Sequence, residues 1–411
     1  MTGPRHPIAL HHAPGGLRLV HDRRPATAAA IFGLAVRAGS ADESPATEGL
    51  AHLVEHTIFK GTARRRSWHI INRMEAVGGE LNAYTTKEIT VLYTVFPATA
   101  LQRAVELVAD LAINSTFPRA ELEKERQVVI DEINSYLDTP AEAIYDDFED
   151  LLFAGTPLGH NILGTPGSVL SLDSSHCRDF LDRFYRRDNA VAFYSGPAGA
   201  DRVLASIERH FEAMPEGRPP RAGSQPPAAP RFDICRSLPI HQCHCITGTG
   251  CPSLTHPGRH ATALLANILG GPGLNSLLNL ELRERRGLVY SVEASTALFE
   301  NDGALSVYFG CDPEDLDRCR RICENTFSRL AEGYIDSRRL AAARKQYLGQ
   351  LAIAAENSEN RILAAARATL LRGKPTTETE TIEAIHRITP HHIAGAAEAL
   401  LKPSTLTFIP S

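Results

Sequence analysis

The fold is organised around the stretch Gly-Leu-Ala-His-Leu-Val-Glu-His at residues 49–56. On a helix, side chains at positions i and i+4 lie on the same face, so His52 and His56 can reach one ion. Glu55 follows His52 by three residues and points close to the same place. Zinc usually takes four ligands, and two imidazoles leave it short of protein ligands. The stretch therefore predicts a metal site that needs a third ligand from elsewhere and an open position for water.

Length and composition indicate a soluble protein of two domains. The 411 residues exceed one ordinary core, since most domains have roughly 100 to 200 residues. A hydrophobic content of 43% is ordinary for a globular protein, and a net charge of -5 argues against dedicated nucleic-acid binding. No apolar run is long enough to span a bilayer, and the first residues lack the hydrophobic region of a signal peptide. We therefore expect a cytoplasmic protein without a nucleic-acid or membrane partner.

The eight cysteines are few for this length, and they do not suggest a secreted disulfide scaffold. Cys243 and Cys245 would lie on one face of a strand, with His244 on the other. We interpret this region, with His241, as a strand with buried small residues; a second metal site is the alternative. Two further cysteines, at 319 and 323, are four residues apart on a predicted helix and are expected in the core.

Strands and helices alternate in the first half. Residues 17–20 and 28–36 are predicted as strands from their alternating and continuous apolar patterns. A helix carries the stretch at 49–56, and another at 67–77 ends before two glycines. Further predicted elements are strands at 80–86 and 89–96 and helices at 98–113, 119–137, 175–186 and 201–213, with a strand at 190–194.

The order of elements then recurs. Residues 215–230 are dense in Pro, Gly, Ser and Ala and have linker composition. The second half is predicted to contain strands at 243–248, 288–294, 303–309 and 405–409 and helices at 259–269, 313–333, 337–372 and 391–400. A glycine turn after the helix at 259–269 is predicted to lead into another helix that ends at Arg286. We therefore predict two diverged copies of one α+β unit, at residues 1–214 and 231–411, joined by a linker at 215–230.

The predicted helix at 119–137 carries two acids that could complete the metal site. Glu125 and Glu132 are seven residues apart, or two turns, and share a face with Leu122 and Val128. Carboxylates on an otherwise apolar face are costly unless they pair or bind metal. This helix is therefore a candidate source of the missing ligand.

With these motifs the chain resembles the inverted-zincin metallopeptidases, the group containing pitrilysin, insulin-degrading enzyme and mitochondrial processing peptidase. The match is to H-x-x-E-H followed about 76 residues later by a glutamate, and from His56 this spacing reaches Glu132. The resemblance implies that His52, His56 and Glu132 bind Zn2+. It also implies that Glu55 is the general base acting on a zinc-bound water, with Glu125 as a supporting acid.

The segment Gly-Gly-Glu-Leu-Asn-Ala-Tyr-Thr at residues 78–85 resembles a second motif of the family, G-G-x-x-N-A-x-T. In the family this segment is a strand edge beside the zinc, and the substrate adds to it as an extra β-strand. Asn82 and Ala83 are thereby implied to bind substrate. Without the zinc motif, an ordinary hairpin strand would be the better interpretation.

A third match lies in the second half, where Leu-Arg-Glu-Arg-Arg-Gly-Leu-Val-Tyr at residues 282–290 resembles L-R-x-x-R-G-L-x-Y. Taken alone, it predicts only a charged helix followed by a strand. The resemblance implies that Arg283 and Tyr290 reach the substrate from the C-terminal domain. A guanidinium and a phenol are suitable donors to substrate carbonyls and to a developing oxyanion.

The resemblance also implies an architecture. Each domain would be a mixed, largely antiparallel sheet packed by helices, and the two domains would form half of a clamshell. A full chamber needs four such domains, so two chains would enclose a peptide or an unstructured segment. The leading hypothesis is a homodimeric zinc endopeptidase, because the zinc motif and the Arg/Tyr pair occur in one chain. The alternatives are one subunit of a heterodimeric processing protease and a non-catalytic assembly subunit.

Overall fold

The computed structural model describes residues 7–219 and 230–411. Within these ranges the chain divides into two compact units. The first comprises residues 7–134, 160–219 and 354–377, and the second comprises residues 135–159, 230–353 and 378–411. Each unit therefore includes a segment from the opposite half of the chain. Of the predicted linker, residues 220–229 lie outside the described residues.

A six-stranded sheet forms the centre of the described part of the first unit. Its strands are β1 (Ala9–His12), β2 (Arg18–Arg23), β3 (Ala29–Val36), β4 (Glu80–Thr85), β5 (Thr90–Pro97) and β6 (Ala190–Gly196). The order is β1-β2-β6-β3-β5-β4, with β2 parallel to β6 and the other neighbours antiparallel. Strand β4 is therefore an edge strand that pairs with β5 alone among the described strands.

The second unit repeats this topology in a five-stranded sheet of its described residues. Its strands are β7 (Asp233–Leu238), β8 (Cys243–Gly250), β9 (Val289–Leu298), β10 (Gly303–Cys311) and β11 (Ser404–Pro410). The order β7-β11-β8-β10-β9 corresponds to β2-β6-β3-β5-β4, and the parallel pair recurs as β7 with β11. The predicted fold class of two related α+β units with mixed, largely antiparallel sheets is confirmed.

Helices of the first half build one core with the first sheet. They are α1 (Leu50–Ile58), α2 (Ser67–Glu75), α3 (Leu101–Asn114), α4 (Arg119–Leu137), α6 (Pro166–Ser171), α7 (Ser174–Phe184) and α8 (Ala200–Phe211). The remaining helix of this half, α5 (Pro140–Leu152), lies in the second unit. Apolar side chains of α1, α3, α7 and α8 pack against inner residues of β3, β5 and β6. Burial of this continuous apolar surface is the main force that fixes α1 on the sheet.

The second half supplies the other helices. They are α9 (Arg259–Gly270), α10 (Leu316–Ala331), α11 (Ser337–Ala354), α12 (Ser358–Arg372), α13 (Glu378–His386) and α14 (Pro390–Glu398), with a π-helical segment at Asn279–Glu284. None of the helices within the described residues combines the length and the apolar character that crossing a membrane requires.

Helices α5 and α12 each pack in a different unit from the helices that precede and follow them in the chain. In the first unit α12 packs against β2, β3 and β6, and Arg361 of α12 lies 3.1 Å from the buried carboxylate of Asp22 in β2. In the second unit α5 packs against β8 and β11, with Ile144 and Phe148 in one apolar cluster with Leu406. Each sheet is thus covered by a helix from the other half of the chain.

Three details differ from the sequence predictions. The predicted helix at 337–372 is two helices, because the Asn357 side chain accepts the N–H groups of Glu359 and Asn360 and begins α12 there. The predicted helix through Arg286 is the π-helical segment. Val128 was placed on the apolar face of α4 but is 47% exposed, whereas Glu125 on the same helix is buried.

Candidate metal centre

The N-terminus of α1 is fixed by a buried carboxylate rather than by its own N-cap side chain. Both oxygens of Glu43 accept backbone hydrogen bonds, from Gly49 at 2.9 Å and from Ala51 at 2.6 Å. His160 Nε2 lies 3.3 Å from the same carboxylate, whose side chain is fully buried. These bonds satisfy N–H groups that a helix start leaves unpaired. They therefore fix where the helix that carries the two histidines begins.

Gly49 meets two requirements at this helix start. Its φ of 90° lies in the left-handed region that glycine adopts without strain. A Cβ at this position would lie 2.6 Å from the carbonyl oxygen of Leu163. The loop around Leu163 can therefore pack directly against the backbone of α1 only when residue 49 is glycine.

Helices α1 and α4 bring three candidate ligands together. Nε2 of His52 lies 3.8 Å from Oε2 of Glu132, and Nε2 of His56 lies 3.4 Å from the same oxygen. One ligand atom from each of the three residues lies within 4.8 Å of the others, the one such group of three within the described ranges. Tetrahedral zinc, with bonds of about 2.0–2.1 Å, places its ligand atoms about 3.3 Å apart. The three residues therefore fit a zinc ion with a small inward movement.

The electrostatics of His52 favour metal binding. Burial, followed by the nearby His56, lowers the pKa of His52 to about 3. The imidazole is therefore neutral at physiological pH, which is the form that donates a lone pair to a metal. Its Nδ1 is buried and has no hydrogen-bond partner among the described residues.

Glu55 lies between the metal residues and the edge strand. Burial raises the pKa of its carboxyl above the ordinary value of 4.5, whereas the nearby Thr85 and the charge of His56 oppose the shift. Thr85 is the last residue of β4. A carboxylate with a raised pKa is a stronger base than an exposed one, and proton transfer is most efficient when the pKa approaches the working pH.

Glu125 contacts the outer side of the histidine pair. Its Oε2 lies 3.4 Å from Nδ1 of His56, and its Oε1 lies 2.8 Å from Nζ of Lys60. Sequence reasoning identified Glu125 but missed Lys60, and it also missed Glu43 and His160. These three residues make contacts over long sequence separations, so no local periodicity points to them.

Asn82 and Ala83 lie in the middle of the edge strand β4. They pair with Tyr93 and Leu92 of β5, and both are half-buried. Ala83 packs against the core that contains α1. The side chain of Asn82 points to the opposite face of the sheet. The strand thus runs beside the helix that carries His52 and His56. The role of Asn82 and Ala83 in substrate binding stays a prediction.

Arg283 and Tyr290 belong to the second unit. Arg283 is exposed in the π-helical segment Asn279–Glu284, and π-helical turns are frequent at functional sites. Tyr290 is the second residue of the edge strand β9, the counterpart of β4, and is 58% exposed. Its hydroxyl donates to Oδ1 of Asp312 at 3.2 Å, which raises the pKa of the phenol. Their predicted contact with substrate stays a prediction.

The cysteine region of β8 matches the interpretation as a strand with buried small residues. Cys243 and Cys245 are buried, as are Cys319 and Cys323. His244 points to the other face, where Nδ1 lies 2.8 Å from the hydroxyl of Tyr308. None of these residues joins a group of three metal ligands within the described part of the chain.

Known proteins resemble this chain over nearly its full length. The family model described as Insulinase (Peptidase family M16) matches residues 18–166, and the model described as Peptidase M16 inactive domain matches residues 171–347. An uncharacterized zinc protease of Mycobacterium tuberculosis is 35% identical over 393 residues, covering 94% of this chain and 89% of that protein. The uncharacterized zinc protease YmxG of Bacillus subtilis is 28% identical over 393 residues, covering 96% and 95%.

The fold also matches solved structures. The crystal structure of a peptidase M16 inactive domain from Pseudomonas fluorescens superposes with a TM-score of 0.89 at 18% identity, covering 98% of both chains. At this identity the likeness concerns the fold alone. It agrees with the repeated α+β topology of the two units.

Proposed function

Because the chain belongs to the insulinase family of peptidases, family M16, we propose that it is a zinc-dependent endopeptidase. The zinc ligands are His52, His56 and Glu132. The observation that carries this proposal is the convergence of their three ligand atoms within 4.8 Å from helices α1 and α4. When bound, zinc supplies Lewis acidity, which makes water a nucleophile near neutral pH and polarises a scissile carbonyl.

Glu55 is the general base in this proposal. It follows His52 by three residues on α1, so its carboxylate lies on the side of the histidine pair that faces Thr85 of β4. From there it takes a proton from the attacking water and later transfers a proton to the leaving amine. The raised pKa of its carboxyl suits both steps, since the same group must accept and release a proton.

The substrate binds as an added strand along β4. Backbone groups on the outer side of an edge strand are available to an extended peptide, and Asn82 and Ala83 lie on this strand. Arg283 and Tyr290 donate hydrogen bonds to substrate carbonyls and to the developing oxyanion. Two copies of the chain enclose the substrate, which restricts cleavage to peptides and unstructured segments; pairing with a related subunit is the alternative.

A non-catalytic assembly role is the second candidate function. The match to the inactive-domain model favours it, but that match covers residues 171–347. His52, Glu55, His56 and Glu132 all fall within residues 18–166, which match the peptidase model. The location of these residues therefore favours the catalytic function for the chain as a whole.

Metal analysis and a peptide assay of the purified protein test the proposal. We expect about one zinc per chain and cleavage of a quenched-peptide library that stops with a chelator and returns with added zinc. Light scattering at assay concentration should give the mass of two chains. A protein that binds no zinc and cleaves no peptide would contradict the proposed enzyme and favour the assembly role. Cleavage that continues unchanged with chelator would contradict its dependence on zinc.

A further inference from the structure

The three proposed zinc ligands come from two separate helices. His52 and His56 are on α1, and Glu132 is on α4. The metal geometry therefore depends on contacts that join the end of α1 to α4. A ligating histidine also usually needs a partner on its second ring nitrogen, which fixes the orientation of the ring.

Lys60 makes a contact of this kind. It lies two residues beyond the last residue of α1, Ile58, and its backbone N–H donates to the carbonyl of Thr57. Its Nζ lies 2.8 Å from Oε1 of Glu125 on α4. A cation at a helix C-terminus is also favoured by the helix dipole. Lys60 thus connects the C-terminal end of the histidine helix to the helix that carries Glu132.

The other oxygen of the same carboxylate faces His56. Oε2 of Glu125 lies 3.4 Å from Nδ1 of His56, whose Nε2 faces Glu132. The Glu125 side chain is only 12% exposed, and those of His56 and Lys60 are 20% and 26% exposed. A carboxylate in such surroundings is costly without a cation. The ammonium group of Lys60 is therefore what stabilises this carboxylate beside the histidine.

We propose that Lys60 is a positioning residue for the metal centre. It holds Oε1 of Glu125 so that Oε2 stays directed at Nδ1 of His56, which orients the imidazole with Nε2 toward the metal. This inference rests on the proposed zinc site and adds to it a residue that contacts neither metal nor substrate.

Two opposing effects follow from removing the Lys60 charge. Loss of a positive charge near a cation site would by itself strengthen zinc binding. Without its cation, however, the Glu125 carboxylate turns away from its buried position, and its negative charge leaves the site together with the positive one. The net charge beside the metal then changes little, and the lost orientation of His56 decides the outcome. We therefore expect weaker zinc binding.

Zinc affinity by chelator competition tests the inference, with thermal unfolding of the metal-free protein measured in parallel. Lys60→Met should raise the zinc dissociation constant about tenfold or more, as loss of a partner behind a ligand does in other metal sites. Lys60→Arg, which keeps the charge, should recover most of the affinity. The matched control is Lys124→Met, which removes an exposed lysine paired with Glu121 at 2.9 Å on α4 and should leave the affinity unchanged.

A second experiment tests whether Lys60 acts on His56 through the Glu125 carboxylate. Glu125→Gln should also weaken zinc binding, and Lys60→Met added to Glu125→Gln should weaken it no further. If Lys60→Met does not fold, Lys60→Gln provides the same comparison with a polar side chain.

Each outcome decides one question. Zinc affinity of Lys60→Met equal to that of Lys124→Met overturns the inference and leaves the proposed function standing. An equal loss in Lys60→Met and Lys60→Arg, or additive losses in the double variant, also overturns it. A wild-type protein without measurable zinc affinity overturns the proposed function itself.

Discussion

His56 and Glu132 are 76 residues apart in the chain, yet Nε2 of the imidazole lies 3.4 Å from Oε2 of the carboxylate. The imidazole is on α1 and the carboxylate is on α4. Zinc binding therefore reports whether the two helices are packed as the structure has them.

Glu132→Gln should abolish stable zinc binding while the protein stays folded. The substitution keeps the size of the side chain but replaces an anionic ligand with a neutral amide, so we expect the zinc affinity to fall by more than about 100-fold. Zinc content after dialysis measures the effect. Glu123→Gln is the matched control, because Glu123 is exposed on the same helix and pairs with Arg119. Equal zinc content in both variants would rule out Glu132 as a ligand.

Gly49→Ala should destabilise the protein by more than about 2 kcal/mol. The left-handed backbone conformation is unfavourable for alanine, and its Cβ would lie 2.6 Å from the carbonyl oxygen of Leu163. Urea unfolding of the metal-free protein measures the change. Gly349→Ala is the control, because Gly349 lies in α11 with open space around it and should gain about 0.5–1 kcal/mol. Similar effects at the two sites would contradict the packing described at α1.

The contribution of His160 to stability should fall as pH rises. Glu43 and Glu48 raise the pKa of His160 above 6.5 in the folded protein, against burial and the charge of Lys87, which lower it. Because the folded pKa exceeds the unfolded value, the stabilisation is complete below about pH 6.5 and is lost as pH rises through the folded pKa.

Comparison of wild type with His160→Gln measures this contribution. The difference in their free energies of unfolding should be larger at about pH 6 than at about pH 9, because the charged imidazole beside Glu43 is present only at the lower pH. A difference that is constant or grows with pH would show that the pair does not titrate in this way.

Tyr290→Phe should reduce peptide cleavage without affecting the metal. In the proposed function the phenol donates a hydrogen bond to the developing oxyanion, and loss of one such donor lowers kcat by about 100-fold or more. Because the side chain is 58% exposed, zinc content and the thermal unfolding temperature should match wild type. An unchanged kcat would contradict the catalytic role of Tyr290 without contradicting the proposed zinc site.

The sequence alone predicted the two helices that carry the candidate site, because a helix is recognised from the spacing of nearby residues. The i, i+4 spacing of His52 and His56 and the helix at 119–137 depend on periodicity alone, and both lie on helices as expected. The association of Glu132 with the histidines came from a spacing known in a family. Periodicity by itself left two acids of α4, Glu125 and Glu132, as candidates.

Other features depend on packing that no local pattern encodes. The contact of Lys60 with Glu125 spans 65 residues, and the amphipathic pattern of α5 does not say which of two sheets it covers. The break at Asn357 was missed because the residues on either side favour helix, although asparagine is a strong N-cap residue. Val128 was misplaced because the buried residues of α4 are only Leu122, Glu125 and Val129, a narrower set than the apolar face predicted from the sequence.

The rate of peptide cleavage by zinc-loaded Glu55→Gln is the most direct test of the proposed mechanism. The substitution keeps the shape of the side chain and leaves His52, His56 and Glu132 in place, so zinc content should equal that of wild type. Loss of the general base should lower kcat by about 10²- to 10⁴-fold. A Glu55→Gln protein that holds one zinc per chain and cleaves peptides at the wild-type rate would contradict the account.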